Sequence, residues 1–317
     1  MFTFIKRLQE FLAKLKKNKG LWFTTITTIS IIGIFVCMYI IMTMTDRVST
    51  EVYQSMAKTY ELNLDNKLSM KQKQFHKMVI PILQNKALLG AIESNNTELM
   101  NQAKTQINEE LIKGGFLETS INFISTASKD QVFRNTINSI ITGKMPLGGF
   151  EVLQDGVFIV YLYPLIKDGT VYGVVEIKDS IHLLRDLYLK ENSEYTFILD
   201  KKMLSFIALE NRTSKYKDVN QTYTYEQARY DTRFAALLAD IDEDTFKKFV
   251  SQKFLVSENY YRSVKKVDDI NGVEIGLIVV GESTDLEGGF VNIADNMTKT
   301  VTMVALGLII SIILFLF

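Results

Sequence analysis

The chain has 317 residues, 47% of them apolar and only three of them proline, which excludes a disordered or collagen-like polymer. Lys+Arg and Asp+Glu each number 36, so the formal charge is zero and there is no electrostatic footprint for nucleic acid. One cysteine, Cys37, excludes an intramolecular disulfide, and two histidines, His76 and His182, argue against a metal centre, so no cofactor is expected.

In chain order, residues 1–20 carry Lys6, Arg7, Lys14, Lys16, Lys17 and Lys19 against Glu10 alone. Residues 21–45 then hold no charge and are dominated by Ile, Phe, Val and Met, with Trp22 and Phe23 at the head. A helix of that length crosses about 30 Å of hydrocarbon. A second apolar run, 301–317, has 17 residues, the lower limit for a span. The basic flank predicts a cytoplasmic tail at 1–20 and transmembrane helices at 21–45 and 301–317, both termini inside a bacterial cell membrane. The run is longer than a secretory h-region and is followed by no small-residue cleavage site, which favours an uncleaved anchor.

Residues 46–297 are then extracytoplasmic. Taking the first 20 positions and Lys299 from the totals leaves 29 basic and 35 acidic residues there, a net of −6. Val48, Val52, Met56, Tyr60, Leu64 and Leu68 recur every four residues and predict a stalk helix from 46 to about 80, ended by Pro81. A second helix is predicted over 97–113, stopped by Gly114 and Gly115. Together they form a helical segment over 46–115.

Residues 116–192 read as one sheet with flanking helices. Strands are expected at 116–125, 150–153, 156–165 and 170–178, and helices at 130–142 and 180–191. Asp168-Gly169 marks a hairpin between the last two strands. A second unit, 193–282, carries strands at 195–199, 252–257, 260–266 and 273–280, the last two joined by a turn at Asn271-Gly272, and reads as helical over 229–250 with acidic punctuation at Asp240–Asp244. An exit helix over 283–300 leads into the second span. The fold class is α/β (α+β): a long membrane-emergent helix and two tandem units between two spans.

One stretch carries a family resemblance: Phe133-Arg134, Gly149-Phe150-Glu151, Gly156-Val157, Tyr163-Pro164-Leu165, Asp168-Gly169 and Gly173-Val174-Val175-Glu176-Ile177. Together with the helix-then-two-units plan, it resembles the double Cache (PAS-like) sensor region of bacterial chemoreceptors, sensor kinases and diguanylate cyclases. The resemblance spans about residues 46–285, with the motif residues confined to the first unit, which a stalk helix of about 50 Å is expected to carry to the membrane-distal end. It implies a homodimer that binds a small molecule or a periplasmic binding protein and signals along its last helix, in chemotaxis or a related output. No adaptor, kinase or cyclase is present after the second span, so the output module is expected beyond Phe317 or output is expected to pass through a partner's membrane helices. The amino-acid-binding double Cache signature contains a tryptophan, and the outer region has none.

The candidate ligand residues are Arg134, Glu151, Tyr161, Tyr163 and Glu176. Arg134 can grip a ligand carboxylate bidentately or close an internal salt bridge. Glu151 and Glu176 sit in apolar strands, where they either face solvent, pair with Arg134 or Lys178, or meet a ligand. Tyr161 and Tyr163 share one strand face and line either a pocket or the core. The pocket is expected between the 130–142 helix and the 156–178 hairpin.

Two other classes compete. A polysaccharide chain-length determinant shares the two-span plan but favours a helical outer region and a proline-rich approach to its second span, and here no proline follows Pro164. An extracytoplasmic enzyme would need a nucleophile elbow, a Walker loop or a zinc-binding histidine motif, and none is present.

Overall fold

The computed structural model describes residues 19–127, 132–212, 215–230, 232–286 and 289–316. It divides into two compact units: Met1–Tyr53 with Asp285–Phe317, and Gln54–Thr284. The expected cytoplasmic tail lies outside the described residues except for its last two positions.

The first unit consists of the N-terminal part of α1 (Lys19–Gln84) and of α9 (Phe290–Leu316). Among the described residues no helix is long and apolar enough to cross a membrane. Many side chains of the two expected spans lie outside the described residues. Those described include large exposed apolar groups, among them Phe35, Tyr39, Val301 and Met303.

The predicted span and stalk are one uninterrupted helix of 66 residues. Pro81 does not end it. Proline removes one donor, but the helix stops a single turn later at Gln84, so little ladder is lost. Asn85 then accepts from Leu88 N and caps α2 (Lys86–Glu93), and Asn96 likewise caps α3 (Thr97–Lys113) through Leu99 N.

The second unit holds two antiparallel sheets. In the first, β1 (Thr119–Ser125), β2 (Leu147–Leu153), β3 (Gly156–Lys167) and β4 (Thr170–Ser180) lie in the order β1-β4-β3-β2. One face packs on α1, where Tyr161 meets Phe75. The other is covered by α4 (Asn135–Gly143), whose Ile137 and Ile140 bury against Val160, Leu162 and Val174. The strand predicted at 150–153 begins earlier, at Leu147, because Lys144 adopts the left-handed conformation (φ 54°) directly after α4 and ends that helix abruptly.

The second sheet follows α5 (Leu183–Leu189) and comprises β5 (Glu194–Asp200), β6 (Tyr216–Asp218), β7 (Tyr223–Glu226), β8 (Phe254–Ser257), β9 (Tyr260–Asp268) and β10 (Glu274–Ser283). Their order is β6-β7-β5-β10-β9-β8. Strands β6 and β7 were not expected. The helix expected at 229–250 is instead two pieces, α7 (Arg233–Ala236) and α8 (Glu243–Gln252), after the short α6 (Leu209–Arg212). The break has a local cause: Thr232 caps α7 through Ala235 N, and Asp242 caps α8 through Asp244 N and Thr245 N.

Helix α1 passes both sheets. Tyr60 stacks on Tyr261 of β9 with centroids 6.1 Å apart, and Asp65 meets Lys265 at 2.6 Å, so this stretch belongs to the second sheet. Further along, Lys71 meets the buried Asp179 of β4 at 2.5 Å and His76 meets Tyr161 at 2.9 Å, so the next turns belong to the first. Much of the apolar stripe is thus covered within the chain: Met56 and Leu64 are buried, and Tyr60 and Leu68 pack against the core.

Candidate functional site

The sheets touch at one edge. Phe150 of β2 bridges to Asp269, and Ile270 N donates to Phe150 O at 2.9 Å. This contact needs Gly149: a Cβ there would stand 2.9 Å from Ile270 Cγ1. Beside it lies a cavity of about 380 Å³. Its wall is built by Arg134, Asn135 and Thr136 at the head of α4, and by Glu151 and Val152 of β2. Met203 and Phe206 close one side from the 3₁₀ turn Lys201–Phe206, and Asp269, Asn271, Val273 and Ile275 close the other.

The acidic and basic candidates converge here because of register. Glu176 stands opposite Asn122 on one side and Leu162 on the other, on the sheet face that α4 covers. Glu151, on the neighbouring β2, shares that face. Arg134 precedes α4 in extended backbone (φ −64°, ψ 158°), which turns its side chain back over the strands. Its Nε and Nη2 donate to Glu151 Oε1 and Oε2 at 2.8 and 3.1 Å, and Nη2 also meets Glu176 Oε1. Thr136 Oγ1 donates to Glu151 Oε1 at 2.6 Å, and Asn122 Nδ2 donates to Glu176 Oε2 at 3.3 Å. Both carboxylates are buried, at 6% and 4% exposure.

Electrostatics follow from this count. Burial alone would lower the pKa of Arg134, but the charges of Glu176 and Glu151 and their hydrogen bonds outweigh it and raise it. One guanidinium against two carboxylates leaves the cluster one charge negative, and Asp269 adds another at the cavity wall. The edge of Arg134 that would clamp a ligand carboxylate is occupied by Glu151.

Tyr161 and Tyr163 do not join this cluster. As neighbours of Leu162 they point from the opposite face of β3, toward α1. Tyr161 is 8% exposed, and its hydroxyl lies 2.9 Å from His76 Nδ1, while Tyr163 packs on the His76 ring at 6.0 Å. Nor does the β3–β4 hairpin wall the cavity: β2 and the second sheet take its place. Thr136, Met203, Phe206, Asp269, Asn271, Val273 and Ile275 were missed by sequence reasoning. The turn signal at Asn271-Gly272 placed a loop there but could not show which sheet edge it meets.

A second cavity, about 410 Å³, lies among α1, α2, α3 and β1 and is mainly apolar, with Glu110 its one acid. Among the described residues no group of three His, Cys, Asp or Glu could hold a metal ion.

No family model matches the sequence, and no curated protein matches it. Solved structures similar to this chain include a ligand-binding domain, a chemoreceptor sensory domain and a periplasmic domain. The ligand-binding domain of Mlp24, solved with asparagine, is 14% identical, covers 82% of this chain and 99% of its own, and has a TM-score of 0.33. The sensory domain of the Campylobacter jejuni chemoreceptor Tlp3 is 14% identical over 78% of this chain and 99% of its own, with a TM-score of 0.31. The periplasmic domain of Vibrio cholerae LuxQ is 14% identical over 74% and 98%, also with a TM-score of 0.31.

Proposed function

We propose that this chain is a membrane-anchored extracytoplasmic sensor that takes a small ligand carrying a cationic group, an amine, into the cavity between its two sheets. The observation that carries the reading is the charge of that cavity. Arg134 is its one basic wall residue and is already gripped by Glu151 and Glu176, while Glu151 and Asp269 remain as wall acids. A pocket with surplus negative charge and an apolar floor of Val152, Phe206 and Val273 suits an amine with an apolar body.

The route outward is the polypeptide itself. Ile275 touches the cavity at the start of β10, and the chain runs from the end of that strand at Ser283 to α9 at Phe290. Anchoring in a bacterial cell membrane, with residues 46–297 outside, is supported by the two uncharged runs, the basic first 20 residues and the exposed apolar groups on α1 and α9. A homodimer belongs to the same reading, and the exposed Val48 side chain stands at the start of the stripe available to it.

Thermal unfolding of the purified full chain with n-butylamine, ethanolamine and 1,4-diaminobutane tests this, each against sodium chloride at equal ionic strength. A concentration-dependent rise in melting temperature that Glu151→Gln weakens and Phe206→Ala abolishes is the expected result. If none of the three amines stabilises the chain beyond chloride, or both variants respond as the wild type does, the reading fails.

A further inference from the structure

The second sheet contains a cation with an open edge. Arg262 of β9 is fully buried, at 0% exposure. Its Nη1 donates to Ser257 O and Oγ at 3.1 and 3.2 Å. The rings of Phe234 and Tyr260 lie 5.2 and 5.0 Å from its Cζ. Its Nε and Nη2 are buried and have no hydrogen-bond partner among the described residues. Nor does any described carboxylate come within ion-pair distance of it.

Nε and Nη2 form the side-on edge of the guanidinium, the pair that meets a carboxylate through two parallel bonds. The first sheet shows this edge in use: Arg134 presents the same two nitrogens to Glu151. In Arg262 they meet nothing. Burying a charge with two donors unmade is among the least favourable arrangements a fold can hold, so an occupant that completes the edge gains unusually much. Burial pushes the Arg262 pKa down, with Tyr260 and Glu258 opposing, to about 10, which still leaves the group cationic at neutral pH.

Its surroundings narrow the occupant. In register, Arg262 stands opposite Gly281 of β10, and Gly281 opposite Glu194 of β5. One step along the same face come Val264, Val279 and Thr196, and Thr196 Oγ1 is a second buried atom without a partner. Glycine raises no side chain beside the guanidinium, and aromatic and aliphatic groups surround it. An apolar enclosure with one cation favours a monoanion over a dianion, because the desolvation cost climbs steeply with charge. We propose that the second sheet carries a separate site in which Arg262 receives the carboxylate of a small apolar acid through its Nε–Nη2 edge, entry requiring the short helix α7 to lift Phe234 away.

The test is thermal unfolding of the purified full chain at neutral pH in sodium isovalerate, sodium acetate, sodium phosphate and sodium chloride at matched ionic strength. At about ten times its Kd, isovalerate is expected to raise the melting temperature by roughly 3–6 °C over chloride. Arg262→Met should abolish that rise and Arg262→Lys should retain less than half of it. Because Arg262→Met removes an unmatched buried charge, its melting temperature without ligand should not fall. The proposal is overturned if neither carboxylate exceeds chloride, if the rise persists in both variants, or if phosphate alone gives an Arg262-dependent rise. It is equally overturned if Arg262→Met lowers the unliganded melting temperature and Glu194→Gln or Glu258→Gln lowers it as far, since that carboxylate would then be the partner. Amines and Glu151→Gln report on the other cavity, so neither result decides the other.

Discussion

Arg134 and Glu151 face each other edge to edge, Nε to Oε1 at 2.8 Å and Nη2 to Oε2 at 3.1 Å, on a sheet face that α4 closes. The same Nη2 also meets Glu176, so one cation holds two buried acids. The arrangement fixes the head of α4 over β2 and β4 and sets the sign of the adjacent cavity.

Arg134→Met should therefore destabilise the chain strongly. It leaves two buried carboxylates without their cation, and breaking a buried pair from one side costs about 3–5 kcal/mol. Removing all three charges in Arg134→Met/Glu151→Gln/Glu176→Gln should recover a large part of that loss. Urea unfolding at pH 7 measures both, and a triple variant no better than the single one would contradict the charge account.

Lys71 and Lys167 separate buried from exposed pairing. Lys71 is the cation on Asp179, whose side chain is 0% exposed, while Lys167 meets Glu93 with both partners about half exposed. Lys71→Met is expected to cost about 3–5 kcal/mol, and Lys167→Met far less, because solvent screens the exposed pair. Equal losses in denaturant titrations would show that α1 is not held to the first sheet through this pair.

A pH signature is expected where the two sheets' units meet. His182 Nε2 donates to Glu226 Oε2 at 2.7 Å, and its Nδ1 lies 2.5 Å from Tyr230 Oη. Burial works to raise the Glu226 pKa, but the His182 bond and the charges of His182, Arg229 and Lys215 outweigh it and hold the carboxyl below its usual 4.5. An acid depressed by folding contributes stability that is fully present above its unfolded pKa and lost as pH falls through its folded one. Wild type should lose stability below about pH 4.5, and Glu226→Gln should fall less steeply there while starting lower at neutral pH. Unfolding midpoints across that window decide it, parallel curves counting against the pair.

Tyr161→Phe removes one hydroxyl from the α1 side of the first sheet. The loss of its bond to His76 should cost about 0.5–1.5 kcal/mol and leave ligand-induced stabilisation unchanged, because the residue is across the sheet from the cavity. A variant that binds amines more weakly, measured by calorimetry, would place the ligand on the α1 face.

Much of this architecture was legible in one dimension. The β-rich apolar runs of β3 and β4 and the Asp168-Gly169 turn are short-range signals, as are the four-residue apolar recurrence in α1 and the glycine pair after α3. Strands β6 and β7 were not legible, because Tyr216–Asp218 and Tyr223–Glu226 are too short to show a period and are held by pairing, β7 to β5 and β6 to β7. The acidic punctuation at Asp240–Asp244 marked the place where Asp242 caps α8, but the late start of α7 at its cap Thr232 was hidden inside an otherwise helical pattern.

The site divides in the same way. The sequence by itself determined that Arg134, Glu151 and Glu176 were the charges to watch, because a charge inside an apolar strand or beside one must find a partner. Only the tertiary structure decided that they find one another, since which strand lies beside which, and in what register, depends on contacts between residues far apart in the chain. The same holds for the tyrosines: spacing put Tyr161 and Tyr163 on one face, but the packing of α1 decided which face it was. Arg262 stands in a run of Tyr, Arg, Ser, Val and Lys that carries no local signal of its burial. Its open edge exists because α7 lays Phe234 over it, a long-range packing event that no local pattern encodes.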